Sequence, residues 1–150
     1  MKHHSYSSTQ TKRLAADFAV RLAKSKPSSR AKVVLLRGEL GAGKTTFSQG
    51  FFRALGVRSS ITSPTFVLVK RYRIKARFYA QGYHLDCYRV HKAKEIQSLG
   101  FKELLADPRN IVLIEWPERI PKLLPRRALR VQLQHGKTEK ERIILMPSVR

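Results

Sequence analysis

The stretch GELGAGKT at Gly38–Thr45 decides the fold. An apolar run at residues 33–36 comes directly before it, and a helix-like stretch at residues 45–55 comes directly after it. Glycines let a backbone curl so that successive N–H groups point inward at phosphate oxygens, and the start of a helix adds its positive dipole end. Strand, glycine loop and helix in this order are typical of a phosphate-binding loop, whereas a plain glycine-rich turn would not require this context.

The residue types in this loop indicate its chemistry. A lysine in the position of Lys44 reaches the β- and γ-phosphates of a bound nucleotide, and a hydroxyl in the position of Thr45 holds Mg²⁺. The sequence therefore predicts ATP or a similar nucleotide and Mg²⁺ as cofactors. The other residues that we expect around the phosphates are Glu39, Leu40, Gly41, Ala42, Gly43 and Thr46.

The charge of the chain is unusual, although its size and hydrophobic content are not. A length of 150 residues fits one domain, residues 1–150, and 42% hydrophobic residues are ordinary for a globular chain. There are 31 Lys and Arg against 10 Asp and Glu, a formal net charge of +21. Such a chain attracts polyanions such as RNA, or it shares a basic surface with the other proteins of its source. Basic residues cluster at 70–77 and 126–130.

The single cysteine and the N-terminus exclude several classes of protein. One cysteine, Cys87, cannot form an internal disulfide framework, and we interpret it as a packed residue and not a nucleophile. No stretch is long and apolar enough to span a membrane, and residues 1–5 lack the apolar core of a secretory signal. We expect a cytoplasmic protein without a membrane partner. The pair His3-His4 is interpreted as a tail and not as a metal site.

The phosphate loop, together with the helical and strand patterns along the chain, predicts a three-layer α/β sandwich of the phosphate-loop class. Its mixed, mainly parallel central sheet has an antiparallel extension from residues 66–85 and a hairpin near the C-terminus. Helical patterns cover residues 7–24, 45–55 and 91–106, the last with an interruption at Gly100. Strand patterns cover residues 33–36, 66–74, 78–85, 111–114, 128–133 and 143–146. The order of the strands in the sheet is not readable from the sequence.

Two of the ten carboxylates follow predicted strands. Asp86 ends one strand, and Glu115 directly follows the apolar run 111–114. A nucleotidase needs a carboxylate in such a position, because it orders the Mg²⁺ shell or positions the attacking water. Both residues qualify as catalytic candidates together with Lys44, and the sequence does not divide the two roles between them. The alternative for each is a solvated residue at a strand end.

Three further residues are weaker candidates. Trp116 follows Glu115 and either stacks near the nucleotide or packs in the core. Thr65 could act as a switch-loop hydroxyl that senses the γ-phosphate. His84 is a possible proton-transfer group, although a histidine in a strand is more often structural.

Four motifs together resemble the TsaE (YjeE) ATPases. The motifs are GELGAGKTTF at residues 38–47, SPTF at 63–66, HLDCYR at 84–89 and EWPE at 115–118. They occur in the order and with the spacing of that family, over residues 9–118. The phosphate loop alone is not specific, but the set of four is.

The resemblance implies a bacterial ATPase of tRNA modification. Such a protein joins the TsaD–TsaB pair in making threonylcarbamoyladenosine beside the anticodon of tRNA, and contact with tRNA would come through that complex. By similarity, Lys44 and the loop backbone hold the phosphates, and Thr45 and Glu115 ligate Mg²⁺. Asp86 and Thr65 would line the γ-phosphate side. Thr11 resembles a family position near the adenine.

The chain departs from the family pattern at two places. Position 39 is Glu where Asp is common, and residues 80–82 are inserted ahead of Asp86, so that Gly82 suggests a β-bulge. The resemblance does not explain the charge of +21.

Two other functions compete with the ATPase. One is a small-molecule kinase with the same loop, for which residues 70–77 would have to serve as the lid, and the other is an RNA-binding module, which leaves the loop unexplained.

Overall fold

The computed structural model describes all 150 residues and contains one sheet of seven strands with helices on both faces. The strands are β1 (Lys2–Ser5), β2 (Lys32–Arg37), β3 (Val69–Arg73), β4 (Gln81–Asp86), β5 (Asn110–Glu115), β6 (Leu129–His135) and β7 (Arg142–Leu145). The α-helices are α1 (Ser8–Lys24), α2 (Lys44–Ala54), α3 (Ala93–Gln97) and α4 (Phe101–Ala106). Short 3-10 turns lie at Pro117–Arg119 and Pro121–Leu123. None of the helices combines the length and the apolar sequence that crossing a bilayer requires.

The sheet is mixed, as predicted. The strand order is β1-β7-β6-β2-β5-β4-β3. The central strands β6, β2, β5 and β4 run parallel to one another. Both margins are antiparallel, with β3 beside β4 on one side and β7 and β1 beyond β6 on the other. The phosphate loop follows β2, so it lies in the middle of the parallel part.

The central strands are apolar on both faces because each face is covered. Val34 and Leu36 of β2 lie in one core with the phenylalanines of α1 and α2. Val33 and Leu35 lie in a second core with residues of α3 and α4. Side chains alternate between the faces of a strand, so a continuous apolar run fills both cores. The predicted three-layer arrangement is confirmed.

The ends of the first two helices follow local sequence signals. Ser7 caps α1, and its side chain accepts a hydrogen bond from the backbone N–H of Gln10 at 3.1 Å. Gly56 follows α2 with φ at 89°, and its N–H donates to Arg53 while that of Val57 donates to Phe52. This pair of bonds is a Schellman motif, which glycine permits because it adopts positive φ without strain.

Gly82 does not form a bulge, so that expectation is wrong. Pairing runs unbroken through Gly82, which lies opposite Tyr72 of β3 and Ile111 of β5. A Cβ atom at position 82 would lie 2.9 Å from Cε1 of Phe52 and 3.0 Å from Cγ2 of Ile74. Glycine is therefore needed for space and not for a break in the ladder.

The antiparallel margin beside β4 is shorter than predicted. The strand expected at 66–74 begins only at Val69, because residues 65–67 form a turn in which the N–H groups of Val67 and Leu68 both donate to the carbonyl of Pro64. Leu68 has φ at 64°, which is incompatible with an extended strand. The neighbouring strand, expected at 78–85, spans Gln81–Asp86. The helical region 91–106 is divided at Gly100, as predicted.

The interpretation of the N-terminus as a tail is wrong. Residues Lys2–Ser5 form the edge strand β1, which pairs antiparallel to β7. Nδ1 of His4 lies 2.8 Å from Oε1 of Glu141, an ion pair when the imidazole is protonated. Ser5 is fully buried, and its hydroxyl hydrogen-bonds to that of Thr11. These contacts fix the start of the chain against α1 and β7.

Gly50 gives a test of how closely α1 and α2 approach. A Cβ atom at position 50 would lie 2.4 Å from the carbonyl oxygen of Lys12 and 2.6 Å from its Cα, both of which belong to the backbone. Helix propensity alone predicts that Gly50→Ala stabilises by about 1 kcal/mol. We expect the reverse, a loss on the order of 2 kcal/mol in the free energy of unfolding, because the helices must separate. Urea unfolding of the two proteins measures the sign of this change in the free energy of unfolding. A stabilised variant would contradict the close approach of α1 and α2.

Candidate functional site

The loop after β2 is folded in a form that requires glycine. Gly41 has φ at 74° and Gly43 has φ at 102°, a region that other residues rarely adopt. A Cβ atom at Gly38 would lie 2.9 Å from the carbonyl oxygen of Leu133 in β6. Helix α2 starts at Lys44 and no side chain caps it. Its first N–H groups thus have no side-chain acceptor and face the loop.

Lys44 is buried beside the loop but forms no ion pair. It is 7% exposed, and its Nζ donates to the carbonyl oxygens of Gly38 at 2.5 Å and Glu39 at 3.0 Å. The ammonium also lies 4.4 Å from the centroid of the Trp116 ring. Burial lowers the pKa of Lys44, and the negative charge of Glu115 opposes that shift. The ammonium is held by dipoles that an anionic ligand could replace.

Strand register brings the two predicted carboxylates to the loop. Glu115 lies opposite Leu36 of β2 on one side and opposite Asp86 of β4 on the other. The three positions therefore form a line across the carboxyl edge of the sheet, two residues before the loop begins at Gly38. Ligands of open parallel sheets bind at this edge.

Glu115 is held through one of its two oxygens. Its Oε1 accepts a hydrogen bond from the Ser48 hydroxyl at 3.0 Å and lies 2.9 Å from Nε2 of His84. Because a carboxylate only accepts, the hydrogen of the imidazole is on Nε2. The ring of His84 is fully buried and packs at 5.4 Å from that of Phe52. The second oxygen, Oε2, has no hydrogen bond within the protein, and Glu115 lines the cleft.

Asp86 is held through both of its oxygens. Its Oδ2 accepts from the hydroxyls of Thr65 at 2.7 Å and Ser63 at 2.9 Å. Its Oδ1 accepts from the backbone N–H of Tyr88 at 2.9 Å. Asp86 is 3% exposed, so these three bonds replace the water that burial removes. They also fix the segment of residues 63–65 over the end of β4.

A cleft of about 320 Å³ gathers most of the predicted site. The predicted residues that line it are Leu40, Gly41, Gly43, Lys44, Thr45, Thr46, Thr65, Asp86, Glu115 and Trp116. Ser63 and Tyr88 complete the lining. The sequence motifs that are far apart in the chain thus meet in one place.

Three predicted residues lie outside this cleft. Thr11 lines an adjoining cleft of about 590 Å³, which shares Gly41, Gly43 and Thr46 with the first. Glu39 is exposed on the outer side of the loop. Ala42 is fully buried, and its N–H already donates to the carbonyl of Glu39 at 3.1 Å. The side chain of Ala42 therefore packs in the core and does not face the cleft.

Sequence reasoning missed Ser48 and Ser63 as parts of the site. Ser48 lies four residues after Lys44, hence on the same side of α2, and is a polar residue among the buried phenylalanines Phe47, Phe51 and Phe52. That interruption of an apolar face was a usable signal. His84 was considered, and the structure gives it a structural contact with Glu115.

The donor set of the cleft fits Mg²⁺ with a polyphosphate. The Thr45 hydroxyl and the free oxygen of Glu115 are hard oxygen ligands, which Mg²⁺ prefers, and this ion commonly uses one or two carboxylates together with phosphate oxygens. No group of three or more His, Cys, Asp and Glu side chains forms a metal cage. The uncapped start of α2 and the buried ammonium of Lys44 suit the phosphates.

The fold and the loop define an α/β protein of the P-loop NTPase-like class. The crystal structure of Bacillus subtilis YdiB shares this fold, with a TM-score of 0.76 and 29% identity over 100% of this chain and 86% of that one. Residues 5–144 match the model of the family described as "Threonylcarbamoyl adenosine biosynthesis protein TsaE". The chain belongs to this family, which serves the biosynthesis of a tRNA modification.

Relatives agree with this assignment. The chain is 40% identical over 129 residues to the tRNA threonylcarbamoyladenosine biosynthesis protein TsaE of Rickettsia bellii. This alignment covers 85% of this chain and 82% of the relative. It is 33% identical over 108 residues to the protein of the same name from Haemophilus influenzae. That alignment covers 72% of this chain and 66% of the relative. The resemblance stated from the four motifs is confirmed.

Cys87 lies directly beside Asp86, and its reactivity can be predicted. The side chain is fully buried, and burial, with a smaller contribution from the charge of Asp86, raises the pKa of the thiol to about 12. At pH 8 the thiolate is therefore negligible. We expect no labelling of the folded protein by Ellman's reagent and labelling of one thiol per chain in guanidinium chloride. Rapid labelling of the folded protein would show that the end of β4 opens to solvent.

Proposed function

We propose that this protein is a Mg²⁺-dependent ATPase that acts with TsaD and TsaB in threonylcarbamoyladenosine formation on tRNA. One observation carries the proposal, namely the meeting of Lys44, Thr45 and Glu115 in a single cleft at the uncapped start of α2. Family membership supports the place in tRNA modification. A cytoplasmic location follows from that place.

The chain's own residues have separate tasks in binding. The N–H groups at the start of α2 and the ammonium of Lys44 hold the phosphates, and charge-assisted bonds of this kind are stronger than neutral ones. Lys44 is already positioned at the loop by the carbonyls of Gly38 and Glu39. When bound, Mg²⁺ neutralises charge that develops on the transferred phosphoryl group. Thr45 and Glu115 would hold it.

Hydrogen bonding favours a division of roles between the two carboxylates. Glu115 keeps Oε2 without a partner while Ser48 and His84 fix Oε1, which suits a metal ligand that is oriented from behind. Asp86 uses both oxygens to hold Thr65 and its neighbours. We assign to Asp86 the positioning of segment 63–65 on the γ-phosphate side. In the same assignment Asp86 also positions the attacking water.

The adjoining cleft supplies room for the base. It meets the phosphate cleft at Gly41 and Gly43, and Thr11 and Thr46 line it. The Thr11 hydroxyl is held by that of Ser5 at 2.8 Å, which fixes the wall of the cleft. The family favours ATP as the nucleotide, in agreement with the assignment of Thr11 to the adenine side.

Exposed apolar residues at the rim support docking of partner proteins there. Leu40 at the tip of the loop is 66% exposed, and Phe66, next to Thr65, is 82% exposed. Large exposed apolar groups next to a site are typical of protein interaction surfaces.

The kinase alternative gains no support, since residues 70–77 lie in the edge strand β3 and the loop after it and do not form a lid between two helices.

The proposal predicts that this chain is required for repeated rounds of tRNA modification by TsaD and TsaB, and that Lys44→Ala abolishes this effect. Loss of the ammonium should lower ATP affinity or turnover by at least about 100-fold, or roughly 3 kcal/mol, as for removal of a charged group on phosphate. The measurement is modified tRNA per complex over time, alongside phosphate release. Lys102→Ala, an exposed lysine of α4, is the matched control and should behave as wild type. Multiple rounds without this chain would refute the proposed function.

The two carboxylates should respond differently to neutralisation. Glu115→Gln keeps the shape of the side chain but removes a metal ligand, so we expect the Mg²⁺ concentration for half-maximal activity to rise about tenfold or more. Asp86→Asn should lower kcat by about 100-fold with little change in ATP affinity, because segment 63–65 loses its anchor. Titrations with Mg²⁺ and ATP separate these effects. The reverse pattern would exchange the assigned roles.

A further inference from the structure

The end of the sheet opposite the phosphate loop carries a further cleft, of about 680 Å³. Its walls are the start of β2, the turn before β6 and the last residues of the chain. The basic residues that line it are Arg30, Lys32, Arg126, Arg127 and Arg150, and no Asp or Glu side chain lines it. We call this the basal cleft. It is distinct from the nucleotide site, with which it shares no residue.

The cations of the basal cleft have no partners within the protein. None of the three ion pairs of the structure includes Arg30, Lys32, Arg126 or Arg127, and none of their side chains donates a hydrogen bond. In another basic cleft, between α1 and α2, one of the three cations is held within the protein, because Arg53 donates to the carbonyls of Val57 and Ser59, while Lys12 and Arg13 have no such partner. Unpaired like charges around a concavity repel one another, and a bound polyanion would relieve that repulsion.

The turn before β6 presents two arginines together. The N–H of Ala128 donates to the carbonyl of Pro125 at 3.2 Å, which closes a β-turn with Arg126 and Arg127 at its two corners. Both are exposed, and guanidinium groups suit phosphate oxygens because they offer several donors in one plane. Ser28 and Ser29 also line the cleft.

We propose that the basal cleft binds the phosphate backbone of RNA, and that tRNA is the RNA concerned. The choice of tRNA rests on the proposed function, whereas the cleft itself rests on its geometry and charge. A phosphodiester chain is a better partner for these unpaired cations than a membrane surface is, because none of the large exposed apolar side chains lies in this cleft.

Placement of the cleft lets RNA and nucleotide bind at the same time. Lys32 begins β2 and the phosphate loop begins at Gly38, so the two sites are separated by the length of this strand, roughly 20 Å. A tRNA held at the basal cleft leaves the nucleotide cleft and its apolar rim free. Five of the 31 Lys and Arg residues thus lie at one cleft, a grouping that the family resemblance does not account for.

The test compares two arginine pairs of equal charge. Binding of labelled, unmodified tRNA is measured by fluorescence anisotropy from about 50 to 200 mM NaCl, without nucleotide or partner proteins. Arg126→Gln with Arg127→Gln should weaken binding at least about fivefold and reduce the salt slope by about 1 to 2. Arg71→Gln with Arg73→Gln, on the exposed edge of β3, should change affinity by less than about twofold.

Each outcome decides the proposal. Equal losses in the two pairs, or an unchanged salt slope for the Arg126/Arg127 pair, would overturn it in favour of diffuse attraction. Loss of binding to phosphatidylglycerol vesicles with unchanged tRNA binding would overturn it in favour of a membrane surface. If the double variant does not fold by circular dichroism, Arg30→Gln replaces it and should reduce the slope by about 1. ATP hydrolysis plays no part in these measurements, so failure of the ATPase proposal would not affect their interpretation.

Discussion

Parallel pairing of β2, β5 and β4 is the constraint on which the site depends. It sets Leu36, Glu115 and Asp86 in one line across the carboxyl edge of the sheet. Side chains alternate along a strand, so a slip of β5 by one residue would turn Glu115 to the other face. The slip would also exchange the residues that fill the two cores. Core packing and site geometry are therefore fixed by the same register.

The buried charges of the site are held by hydrogen bonds and not by one another. Neither Asp86 nor Glu115 forms an ion pair with Lys44, although both raise its pKa against the effect of burial. Hydroxyls and an N–H satisfy Asp86, and Ser48 and His84 hold one of the two oxygens of Glu115. Buried charges require such partners, since unpaired ones are costly. Lys44 thus stays available to an anion while the acids keep fixed positions.

Local signals allowed prediction of the loop, the parallel core strands and the approximate helix bounds, because periodicity and turn chemistry carry that information. The strand at Lys2–Ser5 was missed, since its polar sequence has no apolar alternation and only pairing with β7 makes it a strand. The contacts of Ser48 and His84 with Glu115 were not readable from the sequence, because Ser48 is 67 residues away from Glu115 in the chain and His84 is 31. The cleft gathers most of the predicted residues, but their roles in binding and catalysis stay predictions.

Backbone strain at Trp116 lies where the site needs it. This residue has φ at 54° and ψ at 48°, a left-handed conformation that is uncommon for a bulky side chain. It turns the chain directly after Glu115 and brings the indole to 4.9 Å from the Tyr88 ring, with Lys44 over its face. A relaxed continuation of β5 would carry the ring past the cleft. The strain, of order 1–3 kcal/mol in such cases, is thus linked to enclosing the buried ammonium of Lys44 beside the carboxylate of Glu115.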